Sequence, residues 1–243
     1  MAALTLAIPS KGRLKDNCNT WFAERGVVME QTAGARGYRA SFVGLPEIEV
    51  MLLSAGEIAS SLLAGDIHLG ITGEDLLREE APELAGRMHL IKPLGFGFAD
   101  VVVAVSEYWI DVTTMADLDD ICAAFAVKKR HRLRVATKYA QLTRSFFAQA
   151  RIADYRIVPS AGATEGAVAA GTAEVIVDIT TTGATLRDNG LKVLEDGVIL
   201  KSQAQLAASV TADWTDEARA ACQALLARLD PTAPLYATLA KQL

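Results

Sequence analysis

The chain has 243 residues, 51% of them hydrophobic and 22% charged, and a net charge of −5 from 24 Lys plus Arg against 29 Asp plus Glu. That length suits one large domain or two small lobes with a real core, and the composition excludes a disordered, collagen-like or disulfide-scaffold protein. Mild acidity argues against nucleic acid or a membrane surface as partner.

Leu4 to Ile8 is an apolar run expected as a buried strand, followed by a loop at Pro9-Ser10-Lys11-Gly12-Arg13 and a helix from about Leu14 to Arg25, stopped by Gly26. With no charged region before it, this opening is unlike a secretory signal. A polar, glycine-rich stretch follows from Gln31 to Arg39. Then come a strand at Ile48–Leu53, a helix at Gly56–Ala64 and a strand at Ile67–Thr72. The middle predicts strands at Asp100–Val105, Leu133–Thr137, Tyr155–Val158 and Val175–Ile179, with helices at Asp117–Phe125, Gln141–Ala150 and Thr164–Ala170. This alternation predicts an α/β fold with a largely parallel sheet. From Thr215 a helical tail begins, with Thr215 as N-cap and Asp216 and Glu217 in the first turn, interrupted by Pro231 and Pro234. No apolar stretch approaches the roughly 18 residues of a membrane span.

Ser54–Gly73 and Gly162–Gly183 share one plan: a short helix opening on a glutamate, a glycine turn, a buried strand and a polar glycine loop. The similarity is weak but fits two α/β lobes facing each other across a cleft, with both loops beyond the carboxyl ends of strands, where such sheets bind ligands.

Chemistry concentrates in Val177-Asp178-Ile179-Thr180-Thr181-Thr182-Gly183-Ala184-Thr185-Leu186. An acid closes a strand, hydroxyls and a glycine follow, and a helix begins. Backbone N–H groups in such a turn make an anion nest, and the helix start adds its dipole. Asp178 repels phosphate but accepts from sugar hydroxyls, so the set matches a phosphorylated sugar. The plainer alternative is a Thr-rich turn with local capping only. Lys128-Lys129-Arg130-His131-Arg132-Leu133-Arg134 lacks interleaved aromatics and is expected as a solvated loop. His68, His89 and His131 lack metal-ligand spacing. Cys18, Cys122 and Cys222 form no CxxC pair, which points away from structural zinc and disulfides and toward a reducing cytoplasm.

The segment EGAVAAGTAEVIVDITTTGATL, Glu165 to Leu186, resembles the signature of the ATP phosphoribosyltransferase family. So do IPSKGRL near the start, GDIHLGITGEDLL, and LKVLEDGVILKSQAQL after the loop, so that the likeness spans most of residues 4–208. The resemblance implies transfer of the 5-phosphoribosyl group from phosphoribosyl pyrophosphate to N1 of ATP, giving N1-(5-phosphoribosyl)-ATP and pyrophosphate, the first step of histidine biosynthesis. It implies two lobes resembling periplasmic binding proteins with a cleft between them: 1–98 with about 196–243, and 99–195 carrying the loop. Asp178 would hold ribose hydroxyls, and Thr181, Thr182, Gly183, Ala184 and Thr185 would cradle the 5-phosphate. Glu165 belongs to the signature too, with helix-terminus charge complementarity as its alternative role.

The same resemblance places Lys11 and Arg39 among the catalytic cations, with Arg13, Gly73 and Glu74 near ATP. Arg36 competes with Arg39 for its place, and Glu74 and Asp75 have a plainer role as first-turn helix acids. Tyr139, Thr143 and Arg144 follow a second-lobe strand as further candidates. One departure stands out. Many family members carry an arginine after the next strand, where this chain has Leu53-Ser54-Ala55-Gly56-Glu57; Arg39 or Lys138 is the expected substitute. No protein-only metal site is expected, and Mg²⁺ would ride on the substrate phosphates.

The chain resembles the short form of the family, which lacks a C-terminal regulatory domain and depends on a separate regulatory subunit resembling histidyl-tRNA synthetase. A cytoplasmic hetero-oligomer built on catalytic-subunit dimers follows, with no nucleic acid and no membrane. The reading from another class is a non-catalytic two-lobed module that binds or senses a small anion; turnover separates the two.

Overall fold

The structure is a computed structural model that describes residues 3–31, 38–84, 86–160, 162–231, 237 and 239–240. Arg36 and Pro234 lie outside the described residues. In chain order the elements are β1 (Leu4–Pro9), α1 (Gly12–Ala23), β2 (Met29–Gln31), β3 (Arg39–Phe42), β4 (Leu45–Leu53), α2 (Ala55–Ala64), β5 (Leu69–Gly73), α3 (Glu74–Glu80), β6 (Met88–Pro93) and β7 (Ala99–Ser106). There follow α4 (Met115–Lys129), β8 (Leu133–Thr137), α5 (Ala140–Gln149), β9 (Tyr155–Pro159), a 3₁₀ turn (Thr164–Gly166), β10 (Val175–Thr180), α6 (Ala184–Asp188), β11 (Leu191–Ser202), β12 (Ala204–Ser209) and α7 (Asp216–Leu229).

The chain divides into two compact units, Met1–Gly97 with Gln203–Leu243, and Phe98–Ser202. The second crossing, expected near residue 196, falls after Ser202 because β11 pairs with β7 as far as Ser202 opposite Ala99.

The first unit is a seven-stranded sheet in the order β2-β3-β4-β1-β5-β12-β6. The period-two alternation of β1 explains its place at the centre: Leu4, Leu6 and Ile8 point to one face and Ala7 to the other. The first face packs on Trp21 and Phe22 of α1 and Leu225 and Leu226 of α7. The second packs on Ile58 and Leu62 of α2 and Leu77 of α3. Each such buried side chain is worth about 1.5–3 kcal/mol of transfer free energy. The tail helix α7 starts as its sequence predicts, with the Thr215 hydroxyl accepting from the Ala218 N–H at 3.2 Å.

The second unit is a five-stranded sheet, β11-β7-β10-β8-β9. Val101–Val105 of β7 are all buried, a continuous apolar run that suits a strand covered on both faces.

Three expectations need correction. Both sheets are mixed, not largely parallel: β1 pairs in parallel with β4 and β5, and β8 with β9 and β10, but β12 and β7 run antiparallel to their neighbours. Of the helix expected at Thr164–Ala170, only Thr164–Gly166 forms a 3₁₀ turn. Ala163 enters it at φ 48° and glycines stand at 166 and 171, which leaves too short a stretch to nucleate a helix. Finally, Lys128 and Lys129 are the last turn of α4 rather than loop, favoured there by the helix dipole; the helix stops at Arg130, which takes φ 56°. Among the described residues no helix is long and apolar enough to cross a membrane.

Candidate active site

Each unit gathers polar side chains at the carboxyl edge of its parallel strands, the edge at which open α/β sheets bind ligands. In the first unit this edge is set by β4, β1 and β5, where Pro9 pairs with Leu53 and Ala7 with Gly70. Beyond these strand ends lie Lys11 and Arg13, Ser54, and Gly73 with Glu74. Arg39 reaches the same edge because β3 runs antiparallel to β4, with Arg39 opposite Met51.

Lys11 is the extended N-cap of α1, whose first turn carries no acid and whose cap makes no side-chain hydrogen bond. Lys11 and Arg13 are exposed, and among the described residues neither joins an ion pair. Two cations at the positive end of a twelve-residue helix form an anion-seeking arrangement. Arg39 differs: its guanidinium pairs with Glu49 at 2.7 Å. The pair is on the surface and therefore exchangeable.

Glu74 has structural partners throughout. One carboxylate oxygen accepts from Arg78 Nε at 2.7 Å, the other from Gln205 Nε2 at 2.8 Å, and the Glu74 N–H donates to the Gln203 carbonyl. Gly73 is required by its neighbour, since a Cβ there would lie 2.2 Å from Asp75 Oδ1. Asp75 is buried at the start of α3. Where the family arginine is absent, Ser54 caps α2: its hydroxyl accepts from the Glu57 N–H, and Glu57 accepts from the Ser54 N–H at 2.8 Å. These bonds hold the Glu57 carboxyl below its ordinary pKa.

In the second unit, Lys138 and Asp178 leave adjacent parallel strands at the same level, because Thr137 of β8 pairs with Val177 of β10. Burial pushes the Asp178 carboxyl pKa up. The Ile179 N–H at 2.8 Å, Lys138 and the Thr164 hydroxyl pull it back, while Glu165 pushes it further up. Asp178, Glu165, Lys138 and Thr164 thus form one cluster, in which the two acids repel each other.

The loop after Asp178 turns through Gly183 at φ 72°. The Thr180 hydroxyl accepts from the Gly183 N–H at 2.8 Å, and the Arg187 guanidinium donates to the Thr182 carbonyl at 3.1 Å. A side chain at 183 would be both strained and 2.9 Å from Arg187 Nη1. Thr181 and Thr182 are exposed, and at the start of α6 the Ala184 N–H donates to the Thr182 hydroxyl at 3.4 Å. The Thr181 hydroxyl donates to the Phe98 carbonyl at 3.2 Å.

Tyr139 and Thr143 are fully buried and bond each other's turn: the Thr143 hydroxyl donates to the Tyr139 carbonyl at 2.6 Å. They belong to the packing of α5, and only Arg144 of that trio is exposed. His68 is structural as well: Nδ1 accepts from the Thr5 N–H at 3.1 Å while Nε2 faces the Asp213 carbonyl at 3.0 Å. Among the described residues no group of three or more His, Cys, Asp or Glu side chains could hold a metal ion. Gln205, which sequence reasoning missed, gave no signal because it sits in an apolar strand 131 residues from Glu74. It is buried, and its Oε1 has no partner among the described residues.

The family model of ATP phosphoribosyltransferase matches residues 54–231. An ATP phosphoribosyltransferase of Rhodopseudomonas palustris is 58% identical over 225 residues, covering 93% of this chain and 69% of its own. Among solved structures, the ATP phosphoribosyl transferase (HisG:HisZ) complex from Thermotoga maritima aligns with a TM-score of 0.66 at 23% identity, over 97% of this chain and 99% of that one. The periplasmic aliphatic sulphonate binding protein SsuA from Escherichia coli aligns with a TM-score of 0.51 at 18% identity, over 100% of this chain and 76% of its own. The α/β fold expected from the sequence, of the periplasmic-binding-protein type, is therefore the one found.

Proposed function

Since the chain belongs to the ATP phosphoribosyltransferase family and its reaction is the transfer of the 5-phosphoribosyl group from phosphoribosyl pyrophosphate to N1 of ATP, the first step of histidine biosynthesis, we propose that its two polar edges divide the substrates between them. The second unit takes phosphoribosyl pyrophosphate. Asp178 and Glu165 accept from the ribose hydroxyls, and Thr181, Thr182, Gly183, Ala184 and Thr185 cradle the 5-phosphate. The observation that carries this reading is the Asp178 carboxylate, kept partly desolvated beside a second acid and directly before a glycine turn lined with hydroxyls. Such an acid gains from meeting neutral donors, which sugar hydroxyls are.

The first unit takes the nucleotide and the leaving pyrophosphate. Lys11 and Arg13 supply charge from the α1 terminus, and Arg39 joins by exchanging Glu49 for phosphate. Gly73 and Glu74 shape the nucleotide side, with Glu74 acting as a brace rather than through a free carboxylate. Mg²⁺ would be carried by the substrate phosphates and would supply charge stabilisation for pyrophosphate, and the hard carboxylate oxygens of Asp178 and Glu165 would suit it. Adenine N1 already carries a lone pair, so alignment and charge stabilisation do the catalysis.

A regulatory subunit resembling histidyl-tRNA synthetase is proposed as partner in a short-form hetero-oligomer built on catalytic dimers, a reading supported by the HisG:HisZ composition of the Thermotoga maritima relative. A cytoplasmic location suits the three separate, buried cysteines. The non-catalytic anion module is not favoured, because relatives 57–59% identical over most of the chain are named as enzymes.

Calorimetry tests the site assignment. Asp178→Ala should weaken phosphoribosyl pyrophosphate binding, and unchanged affinity in a folded variant overturns the ribose role. Ultraviolet detection of phosphoribosyl-ATP, with and without the regulatory subunit, measures the partner dependence; equal rates in both tubes overturn it.

A further inference from the structure

The Thr-Gly loop of the second unit is covered by a cation that the substrate assignment leaves unused. Arg187 is exposed, in the last turn of α6. The helix dipole favours a cation there, provided its side chain stays at that end. The side chain instead folds back. Arg187 lies four residues after Gly183, and its N–H donates to the Gly183 carbonyl at 3.0 Å. That spacing stacks residue 187 over residue 183, and helical side chains lean toward the N-terminus. The guanidinium thus comes to the loop, where it donates to the Thr182 carbonyl at 3.1 Å. Gly183 leaves it the space, since a Cβ there would lie 2.9 Å from Arg187 Nη1. Asp188 follows directly, yet among the described residues Arg187 joins no ion pair.

The loop has use for that charge. Two of its backbone donors are spent within it: the Gly183 N–H on the Thr180 hydroxyl at 2.8 Å, and the Ala184 N–H on the Thr182 hydroxyl at 3.4 Å. Asp178 and Glu165 bring negative charge to the same edge, and Lys138 there already answers Asp178. A phosphate monoester arrives with a charge of about −1.5 to −2. Without Arg187 it would meet neutral donors and two acids. A guanidinium carries its N–H donors in a planar fork that matches phosphate oxygens in pairs, and the Thr182 carbonyl leaves most of that fork to spare.

We infer that Arg187 grips the 5-phosphate of the phosphoribosyl donor and so selects 5-phosphorylated sugars over unphosphorylated ones. Its bond to the Thr182 carbonyl holds the fork at the loop in the empty protein, so part of its side-chain freedom is lost before the ligand arrives. This rests on the loop as the 5-phosphate cradle proposed above, and adds the charge that the cradle itself lacks.

Calorimetry on the full chain with Mg²⁺ is the test. Its probes are ribose 5-phosphate, which carries the 5-phosphate, and inorganic pyrophosphate, which does not. Arg187→Gln removes the charge and keeps a polar side chain. It should weaken binding of ribose 5-phosphate and of phosphoribosyl pyrophosphate at least about tenfold, the worth of a charge-assisted hydrogen bond, and leave pyrophosphate affinity unchanged. Arg187→Lys keeps the charge without the fork and should recover part of the loss. In turnover, Arg187→Gln should raise KM for phosphoribosyl pyrophosphate far more than it lowers kcat, because the 5-phosphate is bound alike before and during the transfer. If Arg187→Gln binds ribose 5-phosphate as tightly as wild type while Asp178→Ala still weakens phosphoribosyl pyrophosphate, the inference falls and the loop keeps its assignment. Equal losses for ribose 5-phosphate and pyrophosphate, or an Arg187→Lys chain no better than Arg187→Gln, reduce Arg187 to a brace of the loop and overturn the inference too. If neither Arg187→Gln nor Asp178→Ala changes any affinity, the loop assignment falls and takes the inference with it.

Discussion

Residues 54–73 of the first unit and 162–183 of the second share a plan of glutamate, glycine turn, buried strand and polar glycine loop, and their strands, β5 and β10, each have one parallel and one antiparallel neighbour. Their polar groups are used differently. In the first unit Glu57 closes a capping box with Ser54, the Thr72 hydroxyl donates to the Ala55 carbonyl at 2.8 Å, and Glu74 bonds Arg78 and Gln205. In the second, Glu165 stands on a 3₁₀ turn of three residues whose cap makes no side-chain hydrogen bond, and Asp178 is desolvated next to it. One plan serves as a brace where its acids are exposed or paired and their bonds keep the charge at no cost, and as a ligand edge where the acid, though bonded to the Ile179 N–H, is desolvated beside a second acid.

The largest effect expected is at Asp178. Asp178→Asn should weaken phosphoribosyl pyrophosphate binding about 10- to 100-fold, the worth of hydrogen bonds to a charged acceptor. The same change should stabilise the empty protein. The folded carboxyl titrates above its ordinary value of 3.8, so its favourable contribution is complete only below that value and is lost as pH rises through the folded pKa. Urea melts should therefore give Asp178→Asn a higher midpoint at neutral pH, with the gain vanishing in acid. Tighter binding, or a lower midpoint, breaks the contrast between the two loops. At the equivalent loop of the first unit, Gly73→Ala should do the reverse. Its Cβ would push on the buried Asp75, at a cost of about 1–3 kcal/mol in stability, with phosphoribosyl pyrophosphate affinity unchanged. A matching loss of that affinity would mean both loops serve the same substrate.

Much of this contrast was legible before the structure. The Thr-Gly loop, the acid before it and the cations after β1 each lie within a few consecutive residues, so local pattern exposes them. Strands β1, β4, β5, β7, β8, β9 and β10 were placed within a few residues, whereas β2, β3, β6, β11 and β12 were not expected. What failed was non-local. The antiparallel course of β12 between β5 and β6, and the Gln205 contact to Glu74 that depends on it, join residues over a hundred positions apart. The short helix expected at Thr164 was lost to two glycines that pattern alone underweighted, and that loss is what leaves Glu165 without a capped helix. Arg39 looked free in sequence because Glu49 is brought to it only by β3 pairing with β4.

Smaller effects separate bracing acids from the functional one by sign. Ser54→Ala removes the α2 cap and should cost about 1 kcal/mol, with ligand binding intact. Asp117 is the sharper case because it lies in the same unit as Asp178. Its carboxylate accepts from the Thr113 and Thr114 N–H groups at 2.9 and 2.8 Å and from both hydroxyls, and these bonds hold its pKa down to about 2. A depressed folded pKa contributes stability that is present above the ordinary value of 3.8 and lost as pH falls through about 2. Asp117→Asn should therefore lower the urea midpoint at neutral pH, and the deficit should shrink to nothing in acid, opposite in sign to Asp178→Asn across the same range. If both variants move the midpoint in the same direction, Asp178 is one more structural acid, and the ligand edge must be sought among the cations of the first unit instead.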